Sequence, residues 1–159
     1  MKQSFNRRKF IKTTAVTGLG LGIMGNVSPL FGKGTAPTGK RVGIIGLDTS
    51  HSIEYTKVLN AMDAPSEFGG YKIVAAYPQG SLDIESSTSR IPGYIEEVKK
   101  MGVEIVDSIP ALLGTVDVVL LETNDGGRHL EQAIPVSKAG KDSFMAKPSA
   151  ATLAGAIGI

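Results

Sequence analysis

Along this chain of 159 residues the apolar positions gather in short runs, separated by polar stretches in which apolar residues return with a helical period. The first run, Arg41-Val42-Gly43-Ile44-Ile45-Gly46, is almost wholly apolar and ends on Gly. That is the pattern of a strand covered on both faces, where alternation is lost because neither side meets water. Asp48, Thr49 and Ser50 follow, each able to cap a helix, and from about Ser52 to Met62 the residues Ile53, Leu59 and Met62 fall near one side. A strand, a tight turn and a helix are therefore predicted here. A second strand is expected over 71–77, stopped by Pro78, and the Ser-rich stretch 79–90 reads as a polar connection. A helix over 93–101 follows Pro92 and stops at Gly102, and 103–106 makes a third strand. Pro110 opens a short helix closed by Gly114. Residues 116–121, five of six apolar, form the clearest central strand. The stretch 129–139 reads as a helix ending at Gly140, although Pro135 should kink it or mark its start. A last short strand is expected over 143–146.

Strands alternating with helices at this spacing predict an α/β fold, a doubly wound parallel sheet of the Rossmann-like kind with helices on both faces. Its crevice lies where the strand order reverses, beyond the carboxyl ends of the first and fourth strands. The loops after Gly46 and Leu121 should therefore meet over one end of the sheet. No internal repeat is present. From about Ala150 a new helix begins and the chain stops inside it at Ile159, which reads as an element cut short. The predicted organisation is a leader and linker over 1–40 and one Rossmann-like nucleotide-binding domain, truncated, over 41–159.

Charge changes this picture only after it is divided. The whole chain carries +2, but residues 1–40 hold seven of its 17 Lys and Arg and none of its 15 acids. Ten bases against 15 acids leave the remainder at −5, which argues against a nucleic-acid surface in the folded part. With no Cys, disulfides and thiolate chemistry are excluded together. The leader has an order of its own: Asn6-Arg7-Arg8-Lys9-Phe10-Ile11-Lys12, then a weakly apolar stretch over 15–24 broken by Gly18, Gly20 and Gly22. It resembles a twin-arginine export signal, with an ordinary basic tail as the other reading. Ten residues are too few for a hydrocarbon core that needs about 20 at helical rise. The resemblance implies the twin-arginine export machinery as a partner and a periplasmic or membrane-tethered location. Gly34-Thr35-Ala36 could be cleaved, but Pro37 would hinder a peptidase.

The first turn is where a dinucleotide site wants G-x-G-x-x-G, for a tight turn, for contact with pyrophosphate and for close helix packing. Here the frame reads Gly46-Leu47-Asp48-Thr49-Ser50-His51, with only the first Gly in place. Asp48 brings a negative charge where phosphate would lie, while the nearby helix start favours an anion. The carboxylate should prevail unless it turns away. At the end of the second strand, where an acid would hold ribose hydroxyls, the chain has Ala75-Ala76-Tyr77-Pro78. Tyr77 could stack on a ring or simply pack. The fourth strand runs into Glu122-Thr123-Asn124-Asp125-Gly126-Gly127-Arg128-His129, a polar loop at the mouth of the crevice. His129 at a helix start would suit neutral hydrogen bonding, or it is a solvated surface residue. Lys147-Pro148 places an amine just after the fifth strand, where a surface lysine is the plainer reading.

As a set, these pieces are more specific. Val42-Gly43-Ile44-Ile45-Gly46, then Thr123-Asn124 with His129 shortly after, then Ala139-Gly140-Lys141, then Lys147-Pro148 followed by Ala150, resemble the Gfo/Idh/MocA oxidoreductases in order and spacing. The resemblance implies that the half seen here binds NAD or NADP through Gly46, Leu47, Asp48, Thr49, Ser50, His51, Tyr77, Thr123, Asn124 and His129. It also implies that Lys147, matching the lysine of a Glu-Lys-Pro motif, is catalytic at the nicotinamide and substrate. Ala146 replaces that motif's glutamate. The family's second half, an open-faced antiparallel sheet with substrate contacts and usually the oligomer interface, is not in the chain. A homo-oligomer is therefore expected only with that half present, and the fragment alone is expected to be inactive.

Three functions follow as expectations. The first is the nucleotide-binding part of an exported NAD(P)-dependent oxidoreductase of a sugar or polyol. The second is an exported, non-catalytic ligand-binding protein that kept the scaffold and lost dinucleotide binding. The third is a metal site, because Asp48, His51, Glu122 and His129 should project near one crevice and two imidazoles with carboxylates suit zinc or a similar ion.

Overall fold

The computed structural model describes residues 39–146 and 148–159. Residues 1–38, which hold almost all of the leader, and Lys147 lie outside the described residues. Five strands form one sheet: β1 (Arg41–Ile45), β2 (Lys72–Tyr77), β3 (Glu104–Ile105), β4 (Val118–Leu121) and β5 (Asp142–Met145). Their spatial order is β3-β2-β1-β4-β5, and every pairing is parallel. The connecting helices are α1 (Ser50–Asn60), α2 (Glu85–Lys100), α3 (Ile109–Thr115), α4 (Gly126–Lys138) and α5 (Leu153–Gly158). This is the Rossmann-like sheet that the alternating pattern predicts.

Period-two geometry sends successive side chains of β1 to opposite layers. Val42 and Ile44 join Leu47, Ile53, Ile73 and Val98 in a buried cluster under α1 and α2. Ile45 joins Leu112, Val119, Leu121 and Val136 in the cluster under α3 and α4. Each fully buried aliphatic side chain contributes roughly 1.5–3 kcal/mol, so the two clusters fix the sheet between two helical layers. Gly43 faces α3 so closely that a Cβ there would lie 3.0 Å from Leu112 Cδ1 and Val116 Cγ1.

Three departures from the sequence pattern have physical causes. Helix α1 stops at Asn60, so Met62 is fully solvated rather than on the buried side. Asn60 is the fastener: its Nδ2 donates to Ile73 O at 2.8 Å and Met101 O at 3.2 Å, and its Oδ1 accepts from Ile73 N at 2.8 Å. Helix α2 begins at Glu85 and runs through Pro92, two turns earlier than expected. Its first turn is held by Ser87 N and Thr88 N donating to Ile84 O, and buried Ser87 accepts from Asn124 Nδ2 at 3.3 Å. Tertiary contact thus recruits a polar stretch into helix and absorbs the lost proline bond. Helix α4 likewise begins at Gly126 and carries Pro135 inside it. Gly102 and Gly140 do end α2 and α4, with φ of 83° and 62°.

Candidate functional site

The turn after β1 is drawn tight by its neighbours on both sides. Gly46 has φ 91°, a conformation open to glycine and costly for a side chain. A Cβ there would also lie 2.5 Å from Thr123 Oγ1 and 2.6 Å from Thr123 N. Gly46 N donates to Tyr77 O at 2.9 Å, Leu47 N to Pro78 O at 3.1 Å, and Glu122 N to Ile45 O at 2.8 Å. The loops leaving β1, β2 and β4 therefore converge at one end of the sheet, as the crevice argument requires.

Asp48 is fully buried, and its carboxylate does not face the open side. It accepts from Ser81 N at 3.0 Å, and both its oxygens lie 3.2 Å from Asn124 N. Gly80 sits against it so closely that any side chain there would overlap the carboxylate. The loop after β2 is thus folded over the fingerprint turn, and Gln132 Nε2, donating to Gln79 O at 3.4 Å, ties it to α4.

Glu122, at the end of β4, is 0% exposed and neither carboxyl oxygen has a hydrogen-bond partner. Loss of hydration penalises the charged form, and burial pushes its carboxyl up to about 7. His51, in the first turn of α1 with its ring 63% exposed, places Nδ1 3.7 Å from Glu122 Oε2. Thr49 precedes α1 but does not cap it; its hydroxyl donates instead to Glu122 O at 3.3 Å. Ser81 Oγ, Thr123 Oγ1 and Gln132 Oε1 are also buried without partners.

The other predicted site residues divide into those at the crevice and those spent on structure. Ser50 is exposed at the start of α1. Leu47 is completely buried in the α1/α2 cluster, so its side chain is core and not a cofactor contact. Tyr77 is half-buried and packs on the α3/α4 cluster, the packing reading rather than a stacking platform. His129 is the fourth residue of α4 and fully buried, which removes the solvated alternative. Its Nε2 lies 2.7 Å from Thr123 O and its Nδ1 3.2 Å from Ser149 O, while a neutral ring can donate to only one of them. It joins the β4–α4 turn to the segment after β5. Lys147 lies outside the described residues.

The metal reading fails among the described residues, where no group of three His, Cys, Asp or Glu could hold an ion. Asp48 spends its oxygens on backbone amides and His129 has both nitrogens against carbonyls, which leaves only His51 and Glu122. Sequence reasoning missed the part played by Gly80, Ser81, Ser87 and Gln132. The one available signal was Gly80-Ser81 just beyond Pro78, a pair suited to a close turn.

The Gly46 turn and the uncapped start of α1 suit a phosphate. The buried Asp48 carboxylate between the Ser81 and Asn124 amides does not, and Tyr77 offers no acid to a ribose. With the 79–81 loop as it lies, the residues do not fit a dinucleotide in its usual pose.

No family profile and no curated protein matches the sequence. Solved structures do match. The chain is similar to UDP-N-acetylglucosamine 3-dehydrogenase from Acidithiobacillus ferrooxidans, with TM-score 0.54 and 19% identity over 74% of this chain and 31% of that one. It is similar to myo-inositol 2-dehydrogenase from Lactobacillus plantarum, with TM-score 0.52 and 21% identity over 76% and 31%. It is also similar to biliverdin reductase from Synechocystis, solved with biliverdin and NADP+, with TM-score 0.50 and 21% identity over 75% and 32%. The structural neighbours include Gfo/Idh/MocA-type oxidoreductases. At these identities the likeness establishes the fold, and the chain spans about a third of the length of the structures it matches.

Proposed function

We propose that this chain is the nucleotide-binding part of an NAD(P)-dependent oxidoreductase of the Gfo/Idh/MocA type, acting on a sugar or polyol and exported by the twin-arginine route. The observation that supports it is the turn after β1: a left-handed Gly46 packed on Thr123, at the point where the strand order reverses between β1 and β4. Open α/β sheets bind ligands at that point. The biliverdin reductase neighbour, solved with NADP+, supports a nicotinamide cofactor. Because the 79–81 loop covers the turn, binding requires that loop to lift. Lys147 is carried into the proposal by the motif resemblance alone. The leader would place the protein in the periplasm or leave it tethered to the membrane.

The test is an equilibrium titration of the purified chain with NADH and NADPH, followed by nicotinamide fluorescence. Saturable binding of either is expected, without turnover of sugars or polyols by this chain alone. Failure of both to bind would reject the proposal in favour of a ligand-binding protein that has lost the cofactor. The buried Asp48 carboxylate is the specific observation on that side.

A further inference from the structure

Asp48 stands at the third position of the fingerprint frame, in place of its second glycine, where the backbone would otherwise touch a pyrophosphate. Its surroundings have the parts of a bound-anion site. The carboxylate is wholly enclosed. It is met by N–H groups from both sides of the reversal point, Ser81 N at 3.0 Å from the loop after β2 and Asn124 N at 3.2 Å from the loop after β4. Gly80 leaves room for it, since a Cβ there would overlap the carboxylate. Hydrogen bonds of this kind, from neutral amides to an ionised acceptor, are stronger than those between neutral groups. The acid is therefore a fixed part of the cleft and not a side chain that happens to point inward.

We infer that Asp48 is an internal stand-in for a ligand phosphate, and that its carboxylate and an incoming pyrophosphate compete for the Ser81 and Asn124 amides. Two anions cannot share these donors at hydrogen-bond distance, because their repulsion adds to the loss of the bonds. The cleft consequently discriminates against phosphate-bearing ligands and favours unphosphorylated ones while the 79–81 loop is down. This rests on the proposed function only in taking the crevice as the ligand site.

The experiment compares the wild-type chain with Asp48→Gly, which restores the fingerprint residue, and Asp48→Asn, which keeps the shape and one acceptor but removes the charge. The probe is inorganic pyrophosphate, read by calorimetry and by the Ser81 and Asn124 amide resonances. Asp48→Gly is expected to bind it about 10- to 100-fold more tightly than wild type, the range that one charge-assisted hydrogen bond is worth, with both amides shifting. Asp48→Asn should fall between. Equal affinity in all three, or binding that leaves the two resonances unmoved, overturns the inference. Should Asp48→Gly fail to fold, the Asn variant alone decides: tighter binding supports the inference and equal binding overturns it. NADH separates the two ideas. Pyrophosphate binding gained by the variant while neither protein binds NADH keeps the inference and rejects the nicotinamide reading. Wild type binding NADH as tightly as Asp48→Gly does the reverse.

Discussion

Replacing Glu122 with Gln should make the protein more stable, and by an amount that depends on pH. The carboxyl is buried with no hydrogen-bond partner for either oxygen, and burial raises it from an ordinary 4.5 to about 7. Between those values the folded chain keeps a proton that the unfolded chain has released, so wild-type stability must fall as pH rises through this window and level off above it. At 1.36 kcal/mol per pH unit the cost at pH 8 comes to about 3 kcal/mol. Gln cannot ionise, so the substitution should be nearly neutral at pH 4.5 and stabilising by about 2–3 kcal/mol at pH 8. For a domain of this size that is a rise in Tm of about 10 °C. Thermal and urea unfolding of both proteins across pH 4.5–8.5, followed by circular dichroism, gives the difference directly and cancels other titrating groups. Parallel profiles for the two proteins would show that Glu122 ionises freely and that its burial has been misread.

Gly46→Ala introduces a Cβ against Thr123 backbone and side chain at a φ of 91°; a loss of about 3 kcal/mol or more is expected from urea unfolding, from the strained backbone and the displaced β4 turn together. His129→Ala removes the link between Thr123 O and Ser149 O; it should lower stability by about 2–4 kcal/mol and speed proteolysis and amide exchange in the segment after β5. Asp117, held down to about 2 by Arg41 through a side-chain and a backbone hydrogen bond, stabilises the folded state above the ordinary carboxylate range and loses that contribution as pH falls toward 2. Asp117→Asn should therefore flatten the acid limb of the stability curve between pH 4 and 2. Replacing Arg7 and Arg8 together by Lys should abolish export of the full chain, read by cell fractionation, if the leader is a twin-arginine signal; unchanged export would discard that reading.

Much of the fold was legible because burial on both faces leaves a plain mark. Val42, Ile44 and Ile45, and the run Val118–Leu121, could only be central strands, and Gly102 and Gly140 marked helix ends that the backbone confirms with left-handed φ. Elements whose stability comes from elsewhere were not legible. Residues 85–92 carry little apolar period, and their helix is held by Ser87 against Asn124, far away in sequence. The site divides in the same way. Gly46 announced a tight turn, and its place beside Thr123 follows from the reversal of strand order. Tyr77, Leu47 and His129 were polar, aromatic or apolar residues in the right segments, but their direction depends on the twist and register of strands that local sequence does not encode.

Residue types and their spacing were enough to establish an α/β sheet, a crevice at its carboxyl edge, an altered fingerprint and a basic leader distinct from an acidic domain. Long-range packing settled which polar groups stay free. Asp48 could have met solvent, a phosphate or its own backbone, and the choice fell to two amides 33 and 76 positions away. Spacing along a chain reports what a turn can accept, whereas the free energy of a buried charge depends on donors that arrive only when distant loops close around it.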